Sequence, residues 1–157
     1  MNRPTDNLDQ IAERIREDFY ALDAAREEVL PLCRETIRHC SLAIRALHRQ
    51  EFPKAEESLK SARGLLGDID KVVYAHGELR AAGFVRDAQK EFAEGSITLA
   101  LVRGEPPPTP EELGVSPAAY LHGLGEAVGE LRRYLLDGMR KGNMSQGEEL
   151  LSAMDDI

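Results

Sequence analysis

Apolar residues recur every three or four positions through most of the chain, and that spacing leaves little besides α-helix. Between residues 55 and 76 the stripe is Ala55, Leu59, Ala62, Leu66, Ile69, Val73 and His76. Its near-3.5 period predicts left-handed, coiled-coil-like packing. A second stripe holds Val29, Cys33, Ile37, Cys40, Ile44 and Leu47. No segment alternates as a half-buried strand would, and no internal repeat is present. Aromatics are 5% of the chain and Trp is absent, so the core must be mostly Leu, Ala, Ile and Val. That diet suits helix packing better than a sheet. A length of 157 residues with 42% hydrophobic content fits one globular domain over 1–157. The prediction is an all-α, antiparallel bundle of long helices with short connections.

Helix breakers divide the chain. Thr5 or Asp6 can cap a first helix that reaches about Gln50, with a kink or break expected at Pro31. Pro53 suits the first turn of a second helix, predicted to reach about Ala82 and stop at Gly83. A third spans about Phe84 to Arg103. The run GEPPPTP, residues 104–110, is a stiff connection, and Thr109-Pro110 can open one short turn. Ser116-Pro117 reads as N-cap and N1 of a fourth long helix ending near Lys141, at Gly142-Asn143. Ser145 with Glu148 reads as a capping box for a final short helix.

Several function classes are disfavoured at once. A net charge of −8 argues against a generic nucleic-acid-coating protein, although a local basic stripe remains compatible with it. Cys33 and Cys40, seven residues apart on a helix, lie roughly 10 Å from each other, too far for a disulfide. They read as buried thiols of a reducing cytoplasm. No run approaches the roughly 18 apolar residues of a membrane span, and MNRPTDNLDQ has no signal-peptide core. His39, His48, His76 and His122 lack ligand-type spacing, so no zinc site is expected. No phosphate-binding glycine loop or nucleophile elbow is found.

Two helices carry paired acids beside their apolar arcs. On the third, Asp87, Glu91 and Glu94 line the edge of the arc of Phe84, Val85, Ala88, Phe92, Gly95 and Leu99. On the fourth, Glu126, Glu130 and Asp137 flank Tyr120, Leu124, Ala127, Val128, Leu131 and Leu135. Like charges at such spacing repel, and carboxylates at the edge of a core cost more when partly desolvated. A divalent cation with oxygen ligands, Mg²⁺ or Mn²⁺, would offset that cost and could serve phosphodiester cleavage. Spacing alone favours a solvated charged face, the norm at helix edges in a chain that is 31% charged. On the first helix, Arg34, Arg38, Arg45 and Arg49 fall within about 60° of one another. Such a row can track a nucleic-acid backbone or stand as an ordinary solvated face.

Three segments together resemble the translin and translin-associated factor X family. They are REEVLPLCRETIRHCSLAIRALHR (residues 26–49), QKEFAEGS (residues 89–96) and YLHGLGEAVGELRR (residues 120–133), the last followed by RKGN at 140–143. The pattern YL-x-G-x5-GEL-x-R is the most specific, and the likeness runs from about Leu22 to Met154. The resemblance implies a translin-like helical domain that assembles into a closed, barrel-like oligomer, octameric in the family, and binds single-stranded RNA or DNA inside.

The factor X branch is a metal-dependent endoribonuclease, whereas the translin branch mainly binds. The factor X acids, carried over, fall on Glu91, Glu94, Glu126 and Glu130, and translin has apolar residues where Glu91 and Glu94 stand. The resemblance is therefore closest to the catalytic branch, in a compact form like that of a prokaryotic, archaeal-type homologue. At Glu126 the family pattern has Asp.

The expectation is a cytoplasmic homo-oligomer that cleaves single-stranded RNA. Glu91, Glu94, Glu126 and Glu130 would be catalytic residues and ligands of Mg²⁺ or Mn²⁺. Arg34, Arg38, Arg45 and Arg49, with Arg80 and Arg86, would hold the backbone. The alternative is a non-catalytic, translin-like protein that binds single-stranded RNA or DNA.

Overall fold

The computed structural model describes residues 5–143 and 145–157. Among them the regular elements are all helices: α1 (Leu8–His48), α2 (Phe52–Val73), α3 (Gly77–Arg80), α4 (Gly83–Val102), α5 (Pro110–Leu113), α6 (Pro117–Arg140) and α7 (Gly147–Asp156). The turn between α1 and α2 is so short that the two must run antiparallel, as a helical hairpin. Helix α4 packs on both, and α6 packs on α4. Both stripes read from the sequence enter one core. Val29, Cys33, Cys40 and Leu47 of α1 meet Ala55, Leu59, Ile69 and Val73 of α2. Phe92 and Ile97 of α4 and Leu131 of α6 complete the contact, all nearly inaccessible to water. Truncating Phe92 to alanine would cost about 3–5 kcal/mol by transfer and cavity terms. Cys33 and Cys40 are buried free thiols, as expected.

Helix α1 is unbroken through Pro31, so the expected break does not occur. Pro31 and Glu27 both lie on the exposed face, where water can satisfy the carbonyl that loses its donor. The first half of α1 extends beyond the core and leaves Leu8, Ile11, Ile15 and Phe19 exposed.

The second predicted helix ends at Val73 rather than Ala82. The reason is phase. A continued helix would turn Arg80 onto the core side and Leu79 about 120° away from it. The break at residues 74–76 resets that phase, and Leu79 enters the core at 5% exposure while Arg80 stays outside.

The capping box expected at Ser145 and Glu148 is absent. Both the amide and the hydroxyl of Ser145 donate to Asn143 Oδ1, and α7 starts at Gly147 behind Gln146. Nor is α1 capped at Thr5 or Asp6: its N-cap is Asn7, with no side-chain cap hydrogen bond. Two caps further along do form. Thr109 and Glu112 close a full capping box on α5, and Ser116 caps α6 by accepting from the Ala119 amide.

Candidate metal centre

The site is made by an unusually close crossing of α4 and α6. A Cβ placed on Gly123 would fall 2.7 Å from the Lys90 carbonyl oxygen, 2.8 Å from Ala93 Cβ and 2.9 Å from the Glu94 nitrogen. Only a residue without a side chain lets the backbones meet there. One turn further along α6, that contact presents Glu126 to the Glu91 and Glu94 turn of α4.

Glu91, Glu94 and Glu126 each bring one carboxylate oxygen into a group whose members all lie within 4.8 Å of one another. Their surroundings differ. Glu94 is buried, Glu91 partly so, and Glu126 exposed. The Glu94 carboxyl is pushed up to about 8, first by burial, then by the charges of Glu91, Glu126 and Glu130 and by a hydrogen bond with Glu126. The Cys40 thiol of α1 is pushed up to about 12 by burial and next by the charges of Glu91 and Glu94. The acids therefore lie in the groove where α1, α4 and α6 meet.

Two further residues complete the grouping. The Lys90 ammonium donates to both acidic helices, 3.1 Å from Glu91 Oε1 and 3.0 and 2.9 Å from Glu126 Oε1 and Oε2. Burial alone would lower the Lys90 pKa, but its hydrogen bonds to Glu126 and Glu91 outweigh that and raise it. Glu130 lies outside that group of three, though its charge still acts on Glu94. Its carboxylate meets Nε2 of His48, whose side chain is 7% exposed, with Arg133 3.9 Å away. So the structure gathers three of the four predicted glutamates and pairs the fourth with a histidine of α1.

The predicted arginines are all at the surface. Arg38 pairs with Glu35 at 2.8 Å, and Arg45 Nε donates to the Ser41 carbonyl at 3.2 Å. By helical rotation the row Arg34, Arg38, Arg45, Arg49 lies about 40–100° around α1 from His48, flanking the side that meets α6. Arg86 is exposed one turn before Lys90 on α4. Arg80 lines a separate hollow with Asp70, Gln89 and Ser116.

Sequence reasoning overlooked His48, Lys90 and Gly123. By helical rotation His48 lies between the apolar and arginine stripes of α1, a signal that could have found it. Gly123 stood in the sequence only as the first glycine of YL-x-G-x5-GEL-x-R, and Lys90 gave no signal beyond lying inside a quoted segment.

Comparison with known proteins places this arrangement. The chain is 36% identical to AfC3PO, solved both alone and in a complex with duplex RNA, and it superposes with a TM-score of 0.80. The match covers 92% of this chain and 74% of AfC3PO in the RNA complex. This chain belongs to the translin and translin-associated factor X family. The translin-like fold extends to apo-NeC3PO, with a TM-score of 0.76 over 96% of this chain at 19% identity. An uncharacterized protein of Methanocaldococcus jannaschii is 28% identical over 137 residues, 86% of this chain. The chain spans 60% of the length of that curated relative. No family model matches it. Among the described residues of this translin-family chain, no helix is long and apolar enough to cross a membrane.

Proposed function

We propose that the protein is a divalent-metal-dependent endoribonuclease of the factor X type, working as a homo-oligomer. The observation that carries this reading is the meeting of Glu91, Glu94 and Glu126 from two helices, with carboxylate oxygens within 4.8 Å of one another. Hard oxygen donors in that number suit Mg²⁺ or Mn²⁺. Burial first, and then the charges of Glu91, Glu126 and Glu130, raise the Glu94 pKa, and a bound dication would offset that cost. A divalent cation held there would stabilise charge on a phosphodiester and lower the pKa of a water. Glu91, Glu94 and Glu126 would hold it. Glu130, fixed in direction by His48, would orient the attacking water from the α6 side.

The complex of AfC3PO with duplex RNA supports RNA as the substrate class. The arginine row of α1 flanks the same groove and would bind the backbone, with Arg86 nearer the acids and Arg80 further off. An overall charge of −8 is compatible with this when the basic row faces an enclosed interior.

The test uses labelled single-stranded RNA and the matching duplex, each incubated with protein in Mg²⁺, Mn²⁺ or EDTA. Cleavage of RNA that requires the metal supports the proposal, and the preferred form identifies the strandedness of the substrate. RNA binding with no cleavage under any metal would instead establish the non-catalytic, translin-like reading.

A further inference from the structure

Lys90 holds two of the three carboxylates that a dication would use. Its ammonium contacts Glu91 Oε1 at 3.1 Å and Glu126 Oε2 at 2.9 Å, and these are two of the three carboxylates that converge on the candidate metal position. An ammonium and a divalent cation drawing on the same carboxylates compete, because the two positive charges repel at such separations and each weakens the other's hold on the oxygens. The Lys90 backbone is not free to retreat. Its carbonyl lies against Gly123 at the helix crossing, where even one added carbon would clash at 2.7 Å. The side chain can move, since its flexible four-carbon stem is 19% exposed and opens toward solvent.

We infer that Lys90 is a tethered counter-ion of the metal site: it neutralises Glu91 and Glu126 in the metal-free protein and must swing away before a divalent cation can bind. This rests on the metal-site reading proposed above and adds to it a determinant of metal affinity on the chain itself. The sequence context is consistent with such a role. Lys90 directly precedes Glu91, so helical rotation carries its side chain about 100° around α4 from Glu91, toward α6. There the lysine reaches Glu126 without leaving Glu91. Lys90 therefore subtracts from the affinity for any cation that uses both carboxylates. It also spares the apo protein an uncompensated cluster of three acids next to buried surface.

The experiment titrates Mn²⁺ alone, without RNA, into wild type, Lys90→Met and Lys90→Arg, following the free-ion signal by electron paramagnetic resonance. Lys90→Met keeps the apolar stem and removes the charge, and it should bind Mn²⁺ about tenfold more tightly than wild type. Lys90→Arg keeps the charge and should stay within about twofold of wild type. A loss of packing would weaken binding, so a gain in affinity separates competition from a structural role. Circular dichroism checks folding, and Lys90→Gln replaces the methionine variant if that one does not fold. Equal or weaker Mn²⁺ binding in the uncharged variant overturns the inference and leaves the metal site standing. No Mn²⁺ binding in any of the proteins overturns both.

Discussion

Glu94 is the residue at which site and stability meet. It is 9% exposed, and its folded-state pKa is about 8 against an ordinary 4.5, so between those values the native protein holds a proton that the unfolded chain has lost. Stability from this group is full below about pH 4.5 and falls as pH rises through about 8. In the absence of metal, the melting temperature should therefore decline across that window. Glu94→Gln, which is neutral at every pH, should flatten the decline. Melts by circular dichroism at several pH values in EDTA check this, and an unchanged slope in the variant would contradict it. A metal should reverse the trend, since binding takes the deprotonated carboxylate and affinity should rise with pH up to about 8.

At the scale of elements, the crossing of α4 and α6 decides whether the acids meet. Gly123→Ala would place a Cβ within 2.9 Å of three atoms of α4, two of them backbone, so the helices must separate. The expected result is a loss of about 1–3 kcal/mol in denaturant unfolding. Mn²⁺ affinity should fall disproportionately, because Glu126 moves off with α6. Full Mn²⁺ affinity in a destabilised variant would show that the crossing does not position the site.

The same scale explains what the sequence could disclose. Helical rotation put Glu91, Glu94, Glu126 and Glu130 at the edges of their own apolar arcs, which holds for the half-buried Glu91 and Glu130, whereas Glu94 is buried and Glu126 exposed. It could not say which neighbouring helix covers each edge. That is why Glu130 facing His48, and Lys90 bridging to Glu126, emerge only from the packing. The end of α2 was misjudged for a related reason. His76 extends the stripe of α2 in phase, whereas the residue that needs burial next is Leu79, which lies out of phase and forces the break. Pro31 does not break α1, since a proline on a solvated face of a long, packed helix loses one hydrogen bond without ending it.

For the whole molecule, the notable surface is the overhanging first half of α1. Phe19 is 66% exposed and Ile15 47%, and with Leu8 and Ile11 they form an apolar helix face that nothing among the described residues covers. This face fits the oligomer expected of the family. Ile15→Asp with Phe19→Asp should lower the mass measured by light scattering while helicity is retained. An unchanged mass would place the subunit contact elsewhere.

The role proposed for these glutamates is metal-dependent RNA cleavage. It is tested most directly by single-turnover cleavage of labelled RNA at saturating protein and Mn²⁺, comparing wild type with Glu91→Gln and Glu94→Gln. The expected result is metal-dependent cleavage by wild type, and a loss of about 10²-fold or more in rate for each variant with RNA affinity unchanged. Cleavage by the variants at the wild-type rate, or wild-type cleavage that persists in EDTA, would contradict it.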